Sequence, residues 1–519
     1  MFKNKHKAIN LTILFIVFLI SIIIRLPNLN RPLSRHHEWL TSFSLRIITI
    51  FYDNGAYKYN FNPITTYEGS ANKNIDNTAS LFMPKDTQGN YYYTSYLPFA
   101  YLFPYFIFKL IDTRPTILGL QIFNLIFHFI SAYFIFLIVS LLNKNTNKGI
   151  NWPAILGFTI YIFLPLNLWF HSNIYMAEIF VQPLFIIEIY LFLKILFSES
   201  IKDYYYWLLG ITNLLIVYTE WLGVLLAGTM GLYLLFKIKN KKYKKILYII
   251  VITSIFPLLL TIYQYSKIAG FEDLILSYKN KYSFRSGFSN SSPVGTRISD
   301  LTAWAKLTKA YLNSFFPFFL ILLLSLLILF QKFKKISSNH QLLLILYITM
   351  VPVMLHHFIF FSGTVVHDFF LLKDSVYIAI FGALIYQYFA RFARGKNQLL
   401  IFSAIILVGG LCSALIYNKS NSIYSTYYKI IGEKIKQTAK EDEIVFIKFD
   451  NTKIKQIDII PQYIIYAQRN ISLWENNNQA AKLIKLNKLN KGVIFTINNN
   501  YNISNINQIN LLELPSTPR

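Results

Sequence analysis

The chain has 519 residues, of which 54% are hydrophobic, 17% aromatic and 14% charged. This composition excludes an ordinary soluble domain, because the apolar residues fall in many uninterrupted runs long enough to cross a bilayer. The formal net charge is +26 at pH 7, but the lysines and arginines lie largely in short clusters between apolar runs. That distribution orients a membrane protein and gives no support to a nucleic acid as partner.

The first predicted element is an apolar helix from about Ala8 to Leu26, which is long enough to span the membrane. Three lysines precede it, as in a signal peptide, but no small-residue cleavage site follows and the run is too long, so we interpret it as a retained span. The single cysteine, Cys412, lies inside a later predicted span. This sequence therefore offers neither a disulfide framework nor a thiolate metal site.

The next apolar segment, Tyr96–Ile111, is short and contains two prolines, so we predict a re-entrant or in-plane helix. With that choice every later strong basic cluster faces the cytoplasm, whereas counting the segment as a span would place each of them outside. About eleven spans follow from this count. They are Ala8–Leu26, Ile117–Leu142, Trp152–Phe170, Ile179–Phe197, Tyr205–Tyr218, Leu222–Phe236, Ile246–Tyr265, Phe315–Phe330, Leu342–Phe358, Val376–Phe389 and Leu399–Tyr417.

The sequence changes character after residue 417. We predict a transmembrane domain over residues 1–417 and a small extracytoplasmic α/β domain over residues 418–519, because the tail is polar and has no spanning run. Its predicted elements are helices at Ile430–Lys440 and Asp458–Ala467 and strands at Glu443–Phe449 and Gly492–Ile497. The asparagine-rich stretch from Asn498 to Asn510 is predicted to be a loop.

A polar run from Arg31 to Trp39 follows the first span and is the first candidate site. Arg31, Arg35 and Trp39 are also typical anchors of a helix end at the membrane interface. Glu38 does not suit that role, and adjacent residues such as His37 and Glu38 point away from each other on a helix. An amphipathic stretch follows, typical of a helix in the membrane plane. A carboxylate there is placed where an enzyme acting on a lipid-phosphate-linked substrate needs its general base.

Two further acids lie at predicted outer turns. Glu178 follows the segment that begins at His171, and Glu220 lies in a short polar break between two apolar runs. Each has a plain alternative, since a negative charge suits a helix N-terminus and a polar break suits a hairpin turn. Both would share the outer face with Glu38.

The third candidate site lies at the outer junction of two late spans, where His367, Asp368 and Lys373 follow one another and His356 and His357 precede them. Histidine and lysine are good phosphate ligands, although interfacial anchoring is the alternative.

Inside the predicted spans, His128 and Glu188 are the clear ionisable residues, and both are predicted to be isolated. Such isolation argues against a proton-relay transporter.

The architecture resembles the GT-C class of membrane glycosyltransferases, which includes the dolichyl-phosphate-mannose protein mannosyltransferases and the aminoarabinose transferases of lipid A. The resemblance covers about the first 417 residues as a pattern, with short local matches at Arg25–Trp39, Tyr93–Pro98 and His367–Phe370. Family members often carry an Asp-Glu pair or another acid in the first outer loop. This chain has His37-Glu38 there, which leaves Glu38 as the one candidate base.

The resemblance implies an all-α polytopic fold and transfer of a sugar from a polyprenyl-phosphate carrier to a lipid, glycan or protein acceptor outside a bacterial or archaeal cell. It implies Glu38 as the base, with phosphate held by His367 and Lys373 and by Arg35 behind them. The remaining predicted substrate contacts are His37, Glu178, Glu220 and Asp368. No cofactor is expected, although relatives that use a divalent metal would place it at the equivalents of Glu38 and Glu178.

Two other functions are kept as alternatives. A flippase or transporter of lipid-linked sugars would need ionisable residues along a path through the membrane, and the sequence shows few of them. A Wzy-like glycan polymerase or ligase would rely on loop arginines such as Arg285 and Arg297. Both lie between Ser266 and Ser314, where basic and aromatic residues alternate in a pattern suited to sugar and phosphate or to lipid headgroups.

Overall fold

The structure is a computed structural model that describes residues 2–33, 37–76, 83–142, 150–173, 175–320, 323, 340–390, 396–421, 425–450, 460–498 and 500–511. The chain forms two compact units. The first unit contains residues 1–29, 121–260 and 282–422, and the second contains residues 30–120, 261–281 and 423–519. The predicted boundary at residue 417 lies close to the last change of unit, while the independence of residues 418–519 stays a prediction.

Helices make up most of the described chain. In order they are α1 (Phe2–Arg25), α2 (Glu38–Asn54), α3 (Phe99–Leu110), α4 (Ile117–Leu142), α5 (Trp152–Phe163), α6 (Pro165–Asn173), α7 (Ala177–Phe197), α8 (Tyr204–Val217), α9 (Trp221–Leu235), α10 (Lys241–Ala269), α11 (Phe271–Arg285), α12 (Leu301–Phe315), α13 (His340–Ile359), α14 (Phe361–Val366), α15 (Asp374–Ala390), α16 (Lys396–Asn421), α17 (Tyr427–Thr438), α18 (Ile460–Ala467) and α19 (Asn477–Leu486). Short 3₁₀ helices occur at Leu26–Asn28, Ala56–Tyr59, Ser70–Asn72 and Asp368–Lys373.

The polytopic membrane fold predicted from hydropathy is confirmed. Within the described residues, six helices are long and apolar enough to cross a membrane, and α5 with α6 makes a seventh if the bent pair is one span. Three shorter apolar helices lie at the predicted spans 205–218, 222–236 and 399–417. The predicted span Phe315–Phe330 falls mostly outside the described residues. Helix α3 has 12 residues and is too short to cross alone, as the choice of a non-crossing segment requires.

One predicted span is broken. The segment Trp152–Phe170 was expected to be continuous, but the chain bends by 59° between α5 and α6. Pro165 begins α6, and proline favours such a break because it has no N–H to donate and restricts the residue before it. The amide of Leu164 still donates to the carbonyl of Ile160, which closes α5. His171 therefore lies on a helix instead of in the predicted turn.

The second unit contains a four-stranded sheet with the order β2-β1-β3-β4. Strand β1 pairs in parallel with β2 and β3, and β3 pairs antiparallel with β4. The strands are β1 (Glu443–Phe449), β2 (Ile471–Leu473), β3 (Lys491–Ile497) and β4 (Ile503–Asn510). The prediction of a loop at 498–510 was wrong. Its isoleucines support a strand that pairs with β3, and Ile509 reaches the core.

The core of this sheet also uses the first outer segment. Ala71 and Ile75 pack in one buried cluster with Ile444 and Phe446 of β1. The same unit joins Leu33 to α18, where the amide of Leu33 donates to the Tyr466 hydroxyl at 2.9 Å. The tail thus supports the segment on which the first candidate site lies.

Candidate functional site

The carboxylate of Glu38 lies at the first residue of α2 and is almost fully buried. Arg31 donates to both of its oxygens, with distances of 2.5 Å from Nη2 to Oε1 and 3.3 Å from Nη1 to Oε2. A two-bond arginine pair fixes the orientation of a carboxylate and favours its ionised form. Arg31, which the sequence also allowed as an interfacial anchor, is the partner of the predicted base.

His37 precedes this helix in the left-handed region, with φ of 60° and ψ of 8°. Few non-glycine residues adopt this conformation, and histidine is among those that do so more often. Arg35, predicted to lie behind the phosphate ligands, falls outside the described residues.

In the first unit, Glu178 at the start of α7 and Lys373 at the end of the 3₁₀ helix form a fully buried ion pair. Lys373 Nζ donates to Glu178 Oε2 and lies 4.0 Å from Glu220 Oε1. Three residues predicted from separate outer turns are therefore brought together. Because Lys373 already has a carboxylate partner, a phosphate group would have to compete with Glu178 for its ammonium.

Glu220 is held on two sides. Its Oε2 accepts the amide of Leu222 at 2.7 Å, which caps α9, and its Oε1 lies 3.2 Å from His356 Nε2. Burial raises the pKa of the Glu220 carboxyl, an effect that Lys373 opposes. His356 was recognised only as a neighbour of the third candidate site, yet it belongs to this cluster.

A second buried pair lies one residue further along both segments. His357 Nε2 is 2.7 Å from Asp374 Oδ2, and the hydroxyls of Tyr311 and Tyr377 donate to Asp374 Oδ1 at 3.0 and 2.5 Å. Asp374, at the start of α15, and the tyrosines Tyr311 of α12 and Tyr377 of α15 were not predicted as site residues. An acid beside Lys373 at a span boundary was the available signal.

His367 and Asp368 are half-buried at the beginning of the 3₁₀ helix that ends with Lys373. The His367 ring stacks on Phe369, with centroids 4.9 Å apart and planes at 20°. Their predicted roles in substrate binding remain predictions.

The side chains of Glu178, Glu220 and His356 also form a possible metal-binding set, since one donor atom of each lies within 4.8 Å of the others. Two carboxylates and an imidazole suit a divalent transition metal. The residues fit an ion only if Lys373 withdraws from Glu178, because its ammonium already supplies positive charge there. The metal pair predicted from the resemblance, Glu38 with Glu178, divides between the two units and stays a prediction.

The prediction that His128 is isolated was wrong. Its Nδ1 accepts from Arg25 Nη1 at 2.9 Å, and its ring stacks on His171 with centroids 4.2 Å apart. Arg25 also donates twice to Ser21, and all four residues are fully buried. Glu188 does lack a hydrogen-bonding partner for either carboxyl oxygen among the described residues.

Comparison with solved structures identifies the architecture. The oligosaccharyltransferase AglB from Archaeoglobus fulgidus, in complex with an inhibitory peptide and a dolichol-phosphate, matches with a TM-score of 0.60 and 11% identity, over 94% of this chain and 69% of AglB. ArnT from Cupriavidus metallidurans bound to undecaprenyl phosphate matches with a TM-score of 0.55 and 9% identity, over 94% of this chain and 92% of ArnT. Both are GT-C glycosyltransferases. The chain has the GT-C fold.

Other comparisons add little to this assignment. No family model and no curated protein matches the sequence. A second AglB structure, a complex with Zn and sulfate, matches with a TM-score of 0.58 and 13% identity, over 93% of this chain and 68% of that one. The GT-C fold agrees with the resemblance drawn from the first 417 residues and with a multi-pass membrane protein.

Proposed function

We propose that this GT-C protein is a membrane glycosyltransferase that moves a sugar from a polyprenyl-phosphate carrier to a lipid, glycan or protein acceptor on the extracytoplasmic side. The observation that carries the proposal is the Arg31–Glu38 pair, a buried carboxylate fixed at the start of α2 in a chain of this fold. AglB with dolichol-phosphate and ArnT with undecaprenyl phosphate support a lipid-phosphate donor.

In the proposed reaction, the acceptor hydroxyl gives its proton to a Glu38 oxygen as its own oxygen attacks the anomeric carbon of the sugar. The bond from that carbon to the phosphate oxygen breaks, and the electron pair leaves with the carrier phosphate. Arg31 holds the Glu38 carboxylate in a fixed orientation before the attack. Positive charge near the departing phosphate would lower the barrier, and the sequence predicts His367 and Arg35 for that role.

The cluster around Lys373 has a supporting role in this proposal. One ammonium beside two carboxylates holds α7, the turn before α9 and the 3₁₀ helix together. A divalent ion at Glu178, Glu220 and His356 is the alternative arrangement, and the AglB complex with Zn and sulfate supports including it in tests. Such an ion would supply the Lewis acidity that the ammonium lacks.

The contacts of Arg297 weigh against the polymerase alternative. Its Nη2 donates to the carbonyl of Asn290 at 2.8 Å and its Nε to that of Ser292 at 3.3 Å. These bonds close a loop within the same unit, so the guanidinium is occupied by the chain itself. A substrate would have to replace them.

The decisive experiment compares Glu38→Gln with the wild-type protein in membrane vesicles. Transfer is followed with a radiolabelled sugar on undecaprenyl phosphate, and lipid-linked sugar movement across the bilayer is measured in parallel. Loss of transfer with normal folding supports the proposal. Full transfer by Glu38→Gln refutes Glu38 as the base, and sugar movement without any transfer by the wild type favours the flippase alternative. Mass spectrometry of surface glycans with and without the protein then identifies the acceptor.

A further inference from the structure

Arg46 on α2 is an almost fully buried arginine, with 1% of its surface exposed. None of its three guanidinium nitrogens has a hydrogen-bonding partner within the described residues. Among the described residues the guanidinium lies over the ring of Phe43, whose centroid is 4.7 Å from the guanidinium carbon. A cation over a ring face gains some electrostatic energy, but the ring face satisfies none of the five in-plane N–H donors.

No carboxylate pairs with Arg46 among the described residues. Asp53, which lies seven residues further along α2, is bonded to Arg114 at 2.9 and 3.3 Å. That pair is partly exposed, with 46% of the Arg114 side chain and 38% of the Asp53 side chain accessible. In this unit the exposed Arg114 and the buried Arg31 each have an acid as partner, whereas Arg46 has none among the described residues.

Among the described residues the hydroxyl of Tyr67 is a second buried group without a hydrogen-bonding partner, and it interacts electrostatically with Arg46 and, less strongly, with the Arg114–Asp53 pair. Burial lowers the pKa of Arg46 to about 10, and burial raises the pKa of Tyr67 to about 12. Both groups are thus protonated at neutral pH. Together they present hydrogen-bond donors and a positive charge that require an acceptor.

Leaving such groups unpaired is costly, because a buried cation loses its hydration and each unpaired donor adds a further penalty. Native proteins rarely keep such groups without a partner. The planar guanidinium matches the two oxygens of a phosphate or carboxylate group better than any other side chain does. The phenol O–H of Tyr67, which interacts electrostatically with Arg46, can add a further donor.

We propose that Arg46 and Tyr67 form a binding site for an oxyanion, either a phosphate or a carboxylate group. The site lies on the same face of α2 as Glu38, because Glu38, Ser42 and Arg46 are spaced four residues apart. The rise along the axis from Glu38 to Arg46 is about 12 Å. At this distance from Glu38, the bound anion can be the carrier phosphate or an acidic group on the acceptor. Neither group depends on which sugar is transferred.

The test measures binding instead of transfer. Purified full-length protein in nanodiscs is heated in Tris-chloride buffer with inorganic phosphate, glucuronate or undecaprenyl phosphate, and with the neutral lipid undecaprenol as control. We expect at least one anionic probe to raise the unfolding temperature of the wild type by several degrees at saturation. Arg46→Met should lose that rise. Arg114→Met, the same change at the exposed arginine, should keep it.

One further measurement on Arg46→Met and one further variant distinguish loss of binding from loss of folding. In buffer without a probe, Arg46→Met should be at least as stable as the wild type, because it removes an unpaired buried charge. Tyr67→Phe removes only the phenol donor and should weaken probe binding several-fold while preserving the fold. Two results together would count against the site. They are an Arg46→Met variant that is less stable than the wild type and a Tyr67→Phe variant that binds every probe as the wild type does.

The probes also distinguish the source of the anion. A shift with undecaprenyl phosphate alone assigns the site to the carrier, and a shift with phosphate or glucuronate assigns it to a water-soluble group such as an acidic acceptor. The proposal is overturned if no anionic probe shifts the wild type, or if Arg46→Met responds equally. Inactivity of the protein in sugar transfer would leave this result unaffected.

Discussion

The second unit buries one glutamate against one arginine, whereas in the first unit two glutamates and a histidine surround a single lysine. Glu38 is matched by two hydrogen bonds from Arg31. Glu178 and Glu220 share the ammonium of Lys373. The Arg31–Glu38 pair fixes the orientation of one carboxylate. The Lys373 cluster connects several segments through the charge of a single residue. The two arrangements differ in the ratio of cations to acids, which is one to one at Glu38 and one to two at Lys373, and the proposed function assigns catalysis to the first.

The comparison predicts the largest effect at Glu38. Glu38→Gln should reduce sugar transfer by about 100- to 10,000-fold, the usual contribution of a general base. Its unfolding temperature should fall, because the substitution leaves the buried Arg31 cation without its counter-charge, so transfer is compared at a temperature at which both proteins remain folded. Glu68→Gln makes the same change at an acid of the same unit that is 46% exposed, and it should keep wild-type transfer rates. Equal transfer rates of Glu38→Gln and Glu68→Gln would show that the buried Glu38 carboxylate is not needed for transfer.

The next effect is on stability and belongs to the first unit. Lys373→Met leaves two buried carboxylates without their shared ammonium, so the free energy of unfolding should fall by about 3–5 kcal/mol. Lys245→Met, at a lysine whose ion pair with Asp203 is exposed, should change it by less than about 1 kcal/mol. Urea denaturation in detergent micelles measures both.

A double variant sharpens that result. Lys373→Met with Glu178→Gln removes the charge of both partners, so it should be more stable than Lys373→Met alone. Simple additivity of the two single substitutions would show that the pair does not act as a unit.

A metal experiment asks whether the ammonium stands in place of an ion. Zinc or manganese at about 100 times its dissociation constant should stabilise Lys373→Met by about 2.7 kcal/mol, because the freed carboxylates and His356 can then coordinate it. The wild type should respond much less. Thermal unfolding with and without EDTA provides the measurement, and His356→Ala in the same background should abolish the gain. A wild-type response as large as that of Lys373→Met would show that Lys373 does not exclude the ion.

The smallest effect concerns Asp374, whose oxygens are well supplied with partners. Tyr377→Phe removes one of three side-chain contacts to this acid and should cost about 1.5 kcal/mol, the lower range for a hydrogen bond to a charged group. Tyr282→Phe, at an exposed tyrosine of the same unit, serves as the control and should change the free energy of unfolding little. A loss above about 3 kcal/mol would mean that the carboxylate depends on a single hydroxyl.

Hydropathy was sufficient to predict most of the membrane fold. The span Ile117–Leu142 agrees at both ends with α4, because an apolar run with polar flanks has few other solutions in a bilayer. Strand β1 was likewise predicted over Glu443–Phe449. Strand β4 was not, because asparagine disfavours strands and the pairing with β3 that overrides this preference is absent from local sequence.

The site was predictable as a set of residues and not as a set of contacts. Glu178, Glu220 and Lys373 were each selected because they interrupt apolar sequence on the predicted outer side. Glu178 and Lys373 are 195 residues apart, and no local pattern reports which helices bring them together. Arg31 shows the opposite difficulty, since a basic residue after a span is common as an anchor and only the bond to Glu38 reveals its other role.

The packing of Ala71 and Ile75 against β1 has a consequence for biosynthesis. The residues that surround Glu38 are translated before the strands β3 and β4, yet the hydrophobic core of their unit includes Ile494 of β3 and Ile509 of β4. The unit that carries the proposed base can therefore reach its final packing only after both strands have left the ribosome. A nascent chain would insert its preceding spans first and close this core afterwards.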